Sequence, residues 1–462
     1  MDGSPILQGA IFPTFVRYAI PSILGLLAIT TASIVDGIFV GRFVSSDALA
    51  AVNLMIPYLT LVFGLALMIA IGGAVRAGRS LGAGDHERAS GVFSRCMLSV
   101  VAMALLFLVT ALLFDSSVLT LLGAPDHLHA TMRPYFRWLS VVMVLQLTSM
   151  VLYYFVRMDG QPGLATLALS VGAVANILLD ALFIIHFELG LVGAAWATGL
   201  AQLLQFAVLT RYFRRTGRKL HLKLRPGQWS DMFKVAYNGV SEFINECSGG
   251  VVILVLNWLL VSRLGVDGIA AFTVVNYTIF LSLMIYYGIA DAVHLLVSQN
   301  LGAGQADRIR GFMSSAFLMV ACVAVVLVSL LLAGGDWLIG LFLQGADDSV
   351  LEQSHDFIAA VWPLFLVNGL NVCLSIYLTA MHQPLPSLFV ALSRSLVLPV
   401  GLLFAIATLF PQVSILVALP IAEWVTFGLA LGCYRAFSPE RAMLRCEPIS
   451  QATSQATSQS MN

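Results

Sequence analysis

The chain has 462 residues, of which 59 % are hydrophobic and only 10 % charged. An ordinary soluble domain carries roughly 25 % charged residues, so the charges here are too few to cover a soluble surface of this size. This excludes a soluble globular protein, a disordered chain and a nucleic-acid binder with a basic face. It leaves a polytopic α-helical membrane protein.

A helix crossing a bilayer needs about 20 apolar residues. Apolar runs between polar punctuation predict twelve spans, near 12–40, 48–72, 91–114, 134–156, 163–186, 191–211, 232–262, 269–298, 311–333, 356–380, 386–409 and 413–434. The first run is too long for a cleaved signal peptide and lacks a basic leader. Alternating ten-residue strand patterns are absent, which argues against an outer-membrane barrel. With the N-terminus inside, 20 of the 24 Lys and Arg residues fall on inner loops and termini, including Arg76, Arg95, Arg157 and Arg394. The positive-inside rule then predicts a multi-pass protein of the inner cell membrane with both termini cytoplasmic. A basic cluster at 211–225 separates spans six and seven and reads as an anchoring linker.

The halves repeat. Leu81-Gly82-Ala83-Gly84 recurs 220 residues later as Leu301-Gly302-Ala303-Gly304. At the same offset Ala50-Ala51 matches Ala270-Ala271, and Arg88, Gly91 and Ser94 match Arg308, Gly311 and Ser314. Near offset 222, Gly123-Ala124 matches Gly345-Ala346 and Gln161-Pro162 matches Gln383-Pro384. Collinear matches indicate a duplication. Six spans per half is an even number, so the repeats are parallel, and such repeats enclose a substrate site between them. The expected architecture is an all-α membrane protein of two six-helix lobes related by a parallel pseudo-two-fold axis. The expected bounds are an N-lobe at 1–211, a basic linker at 212–230, a C-lobe at 231–437 and a polar, disordered tail at 438–462.

Carboxylates inside a bilayer are costly and are functional candidates by default. Six qualify: Asp36, Asp180, Glu242, Glu246, Asp291 and Glu423. Asp36 and Asp180 sit about 8–9 Å from the outer ends of spans one and five, and Thr198 about 12 Å into span six. Asn176 shares a helix face with Asp180. Two carboxylates, an amide and a hydroxyl are hard oxygen ligands suited to a small cation or a shared proton. The alternative is ordinary interhelical hydrogen bonding, with Asp36 paired to Arg42. Glu246 and Glu423 lie near mid-membrane and are candidates for substrate contact, with water-filled structural pairing as the alternative. Pro21 interrupts span one and is a candidate hinge. His294 and His382, near inner helix ends, read as interfacial.

These residues resemble the multidrug and toxic compound extrusion (MATE) transporters, and within them the DinF and MepA-like prokaryotic branch. The resemblance covers nearly all of residues 10–437. It rests on Ser33-Ile34-Val35-Asp36-Gly37, on Leu49-Ala50-Ala51-Val52, on the repeated Leu-Gly-x-Gly loop, on Asn176 and Asp180, and on Gly193-Ala194-Ala195-Trp196-Ala197-Thr198. It implies a cation or proton site at Asp36, Asn176, Asp180 and Thr198, H⁺ or Na⁺ as coupling ion, and a bending role for Pro21. It further implies antiport of lipophilic, mostly cationic drugs or dyes. The alternative cargo within the superfamily is a lipid-linked saccharide. The C-lobe acid pattern of the NorM branch is not evident.

The remaining features point away from other classes. The six Cys residues are scattered without a C-x-x-C spacing, so neither a metal site nor a disulfide framework is expected. Gly82–Glu87 lacks the Lys-Ser/Thr and the preceding strand of a phosphate loop. No nucleophile–base constellation appears. The expectation is a monomeric transporter, not an enzyme, without a cofactor, whose partners are small-molecule drugs, organic cations and membrane lipids, not nucleic acid.

Overall fold

The structure, a computed structural model, describes residues 5–223, 229–342 and 348–441. Among them are twelve helices long and apolar enough to cross a bilayer. The first lobe holds α1 (Ile11–Phe43), α2 (Ala48–Gly82), α3 (His86–Leu113), α4 (His127–Met158), α5 (Pro162–His186) and α6 (Gly190–Arg214). The second holds α7 (Asp231–Gly265), α8 (Gly268–Gly302), α9 (Ala306–Ala333), α10 (Asp348–Ala380), α11 (Pro384–Leu409) and α12 (Ile415–Ala436). No strand occurs among the described residues. Helices satisfy every backbone group within the segment, which is the condition for crossing lipid. Residues 442–462 of the expected tail, 224–228 of the linker and Gly345-Ala346 lie outside the described residues, whereas 439–441, expected to be disordered, are helical.

Several helices outrun their apolar runs. The run near 48–72 becomes a helix that continues through Arg76 and Arg79 to Gly82, and α8 likewise reaches Gly302. The apolar run measures hydrocarbon thickness, whereas the helix needs only its own hydrogen bonds and stops where the turn demands it. Those stops are Gly84 (φ 79°) and Gly304 (φ 70°), in the left-handed region that a side chain disfavours. Asp85 then caps α3 by accepting from the Arg88 N–H at 2.9 Å. Helices α2 and α3 map onto α8 and α9 by a shift of 220 residues at both ends. Short helices Asp115–Leu121 and Gly335–Phe342 occupy equivalent places after α3 and α9.

With twelve spans, both termini lie on one face, called the terminal face below. There the lobes meet backbone to backbone. A Cβ at Gly82 would lie 1.9 Å from the Gln299 carbonyl oxygen, and one at Gly302 would lie 1.9 Å from that of Arg79. The two contacts are related by the repeat. Deeper in the membrane, Gly72 abuts the Val235 carbonyl, Gly239 that of Met68, and Gly288 the backbone of Ile23. Toward the opposite face these approaches lapse: nothing lies within 4 Å of a Cβ at Gly37, Gly249 or Gly250.

Each lobe also holds the segment leading into the other lobe's first helix. Before α1, the Ile6 carbonyl accepts from Asn300 Nδ2 (3.3 Å) and Arg308 Nη2 (2.9 Å), on α8 and α9. Before α7, the extended segment 219–223 runs along α3. His221 N–H donates to Ser90 Oγ (3.0 Å), and Lys223 N–H to Ser94 Oγ (2.7 Å). Lys219 N–H and the Tyr212 hydroxyl both donate to Asp159 Oδ2 (2.9 and 2.6 Å).

Pro21 does not break its span. Helix α1 runs unbroken from Ile11 to Phe43 with Pro21 inside it. Thr166 on α5 donates to the Pro21 carbonyl at 2.8 Å, so this stretch is tied to a neighbour.

Candidate functional site

Asp36 lies seven residues before the end of α1, about 10 Å along its axis. Asp180 is the last regular residue of α5, where the helix changes to a π-helical turn, Ala181–His186. Such turns mark functional positions in many helices. Asp180 is fully buried, and Asp36 and Asn176 are half-buried. The two carboxylates lie within electrostatic reach of each other and of the buried Tyr135 hydroxyl on α4. Among the described residues no group hydrogen-bonds to Asp36 Oδ1, to either Asp180 oxygen or to Asn176 Nδ2. An Asp36–Arg42 ion pair is absent among the described residues; Arg42 stacks on Phe43 instead. Thr198 is half-buried on α6, which packs against α5, and makes no side-chain hydrogen bond to Asp180 or Asn176 among the described residues.

Unpartnered buried carboxylates are expensive. A desolvated charge costs several kcal/mol, and two like charges add to it. The arrangement stores a demand for positive charge, which protons or a small alkali cation would meet. Among the described residues no group of three His, Cys, Asp or Glu is arranged to hold a metal ion. Carboxylate oxygens of this kind are hard ligands.

The arginines read as loop anchors include four that the structure places inside helices. Arg95, Arg157 and Arg394 are buried, and Arg76 is nearly so. Arg157 on α4 binds Asp291 on α8 across the lobe boundary at 2.5 Å, and also donates to Ser22 Oγ at 2.5 Å. Arg394 sits in a second π-helical turn, Ser393–Val397, and pairs with Glu423 at 3.2 Å. Asn371 Nδ2 donates to the same Glu423 carboxylate at 2.6 Å. Glu423 is thus fully engaged within the C-lobe, the pairing that sequence left as its alternative. Asp231 at the head of α7 joins Arg76 (2.9 Å) and Arg95 (4.0 Å) of the N-lobe. Glu246 is exposed on α7, one turn beyond buried Glu242. His294 is buried rather than interfacial, 3.7 Å from Glu242. Arg157 flanks an apolar run and so gave no sign of burial, whereas Arg394 lies within the run 386–409 and was nonetheless counted with the inner loops. Tyr135 carried no signal either, since Tyr is common near membrane surfaces.

Twelve helices in two repeat-related lobes, closed at one face and holding unpartnered carboxylates in one lobe, define a membrane transporter of the parallel-repeat class. The chain belongs to the MatE family, whose pattern matches residues 21–182 and 251–404. It is 24 % identical over 422 residues to the multidrug export protein MepA of Staphylococcus aureus, covering 90 % of this chain and 92 % of that protein. Its fold is similar to the outward-facing conformation of a multidrug resistance MATE family transporter of the MOP superfamily (TM-score 0.86, 21 % identity, 95 % and 99 % covered). It is also similar to a MOP superfamily transporter from Pyrococcus furiosus, described as having a binding pocket of reverse polarity that suggests a different function (TM-score 0.84, 21 % identity, 94 % and 98 % covered).

Proposed function

We propose that this protein is a secondary multidrug exporter of the inner cell membrane. It releases lipophilic, mostly cationic drugs or dyes in exchange for H⁺ or Na⁺, acting as a monomer by alternating access. The observation that carries the proposal is the Asp36–Asp180 pair, with three carboxylate oxygens that no protein group satisfies. A cation entering this pair removes the charge that a cationic substrate would otherwise neutralise, so ion and drug favour different states, as exchange requires. The basic bias of one side supports cytoplasmic termini. In that orientation the closed face is cytoplasmic and the interlobe space faces outward, the state in which drug leaves and cation enters.

Charge balance favours cationic cargo over a lipid-linked saccharide. Buried Arg157 and Arg394 are each cancelled by a carboxylate, whereas Asp36 and exposed Glu246 carry no such partner among the described residues. The test is efflux of a fluorescent organic cation from vesicles with ΔpH and ΔNa⁺ imposed separately. One of the two gradients should drive transport, and Asp36→Asn and Asp180→Asn should each reduce coupled flux at least about tenfold without loss of membrane insertion. Transport insensitive to both gradients ends the antiport reading. Full coupling in both variants ends the assignment of the pair.

A further inference from the structure

A second set of ionisable groups meets where the lobes touch. Glu242 on α7 and His294 on α8 are 6 % and 5 % exposed, with Oε1 and Nε2 3.7 Å apart. Among the described residues neither ring nitrogen of His294 nor Glu242 Oε1 has a hydrogen-bond partner. His294 lines a small cavity walled by Ile71 and Ala74 of α2, Tyr154 and Arg157 of α4, and Asp291 of α8, so both lobes enclose it.

The charges around this point can be counted. Arg157 and Asp291 cancel across the cavity, with Tyr153 donating to the same Asp291 carboxylate at 3.5 Å. Tyr18 on α1 faces Arg157, and Tyr154 faces both Asp291 and Glu242. On the far side of Glu242 lie Tyr287 and exposed Glu246, and beyond them Arg394, already paired with Glu423. The α2 wall contributes apolar side chains. One buried negative charge, Glu242, therefore has no fixed cation to answer it among the described residues. An uncompensated buried carboxylate costs several kcal/mol. The group beside it is an imidazole, the side chain whose charge ordinarily changes between pH 5 and 8.

We propose that His294 and Glu242 form a proton-binding site at the closed interlobe contact, distinct from the Asp36–Asp180 pair. The closed terminal face holds one proton as an imidazolium–carboxylate pair. Parting of the lobes opens the cavity wall, hydrates both groups and lets that proton leave. The link to lobe motion rests on the alternating-access reading; the proton site itself does not.

The test uses the full-length protein in lipid nanodiscs with isotope-labelled histidine, followed by NMR from pH 5 to 8. The His294 signal, identified by its loss in His294→Gln, should convert between neutral and imidazolium forms in this range. Glu242→Gln should move that conversion about one pH unit or more toward acid, a proton held at least tenfold more weakly. The protection factor of residues 291–302, the exchange rate divided into the intrinsic rate at each pH, should fall as pH rises through the same conversion, by no more than about tenfold per pH unit for a single proton. A His294 ring that stays neutral throughout, or titrates identically in Glu242→Gln, overturns the site. A protection factor that stays flat while His294 titrates overturns its link to the closed contact. Loss of drug transport with both signals intact strikes the exporter reading and leaves this inference supported.

Discussion

Gly82 offers a direct probe of the closed face. A methyl group at Gly82 would lie 1.9 Å from the Gln299 carbonyl oxygen and 2.7 Å from its carbon, and the obstacle is backbone that cannot swing aside. The helices α2 and α8 must part to admit it. Forcing one methyl into a packed contact costs roughly 1–3 kcal/mol, which favours the open terminal face by about 5- to 150-fold at 1.4 kcal/mol per tenfold. Gly302→Ala meets the Arg79 carbonyl at the same 1.9 Å and should act alike. The double variant should fall short of the sum, because one separation relieves both clashes. Alkylation of Ser298→Cys gives the readout. Ser298 is fully buried against this contact, its Oγ 2.4 Å from a Cβ placed on Gly78, so a maleimide reaches a cysteine there when the face opens. Gly82→Ala should accelerate labelling about 5-fold or more in membranes. Unchanged labelling in both folded single variants would refute the reasoning that these glycines hold the face shut.

Arg157→Gln leaves Asp291 buried without its partner, a loss of about 3–5 kcal/mol; thermal aggregation should show it, and adding Asp291→Asn should restore most of the stability. Pro21→Ala should reduce drug efflux more than it reduces membrane insertion, and normal resistance in cells carrying it would count against a moving hinge. His382, in the turn between α10 and α11, has its imidazole held down to about 3 by burial and by Arg79 and Arg76. It stays neutral in the folded protein while the unfolded chain takes up a proton below its ordinary value near 6.5. Stability should therefore fall as pH drops from about 6.5 toward 3, by at most about 1.4 kcal/mol per pH unit, and be level above that. In His382→Gln that component should be missing from pH-dependent melting curves.

Composition and run length made the twelve spans legible, because lipid imposes one solution on a polar backbone. Asp36 and Asp180 stood out because a carboxylate inside an apolar run has no ordinary excuse. The partners of the deep arginines did not. Arg157 and Asp291 are 134 residues apart; Asp291 stood out as an acid within a span, but Arg157 alone resembles a helix-end charge and nothing local joins the two. The Leu-Gly-Ala-Gly repeat announced duplication without disclosing that Gly82 and Gly302 face each other's lobe. His294 read as interfacial because the apolar run near 269–298 ends just beyond it; the helix continues to Gly302 and buries it. What the sequence withheld in each case is a pairing between distant segments, which no local pattern records.

The crossed lead-in segments carry one more implication. Ile6 is held by Asn300 and Arg308 of the second lobe, while 219–223 is laced to Ser90, Ser94 and Asp159 of the first. Arg308 is the repeat counterpart of Arg88, which stands two and six residues before Ser90 and Ser94. This is the geometry of two protomers exchanging arms, here within one polypeptide. The lobes are therefore tied by each other's lead-in segments as well as by their glycine contacts, and neither can part from the other at this face without straining those hydrogen bonds.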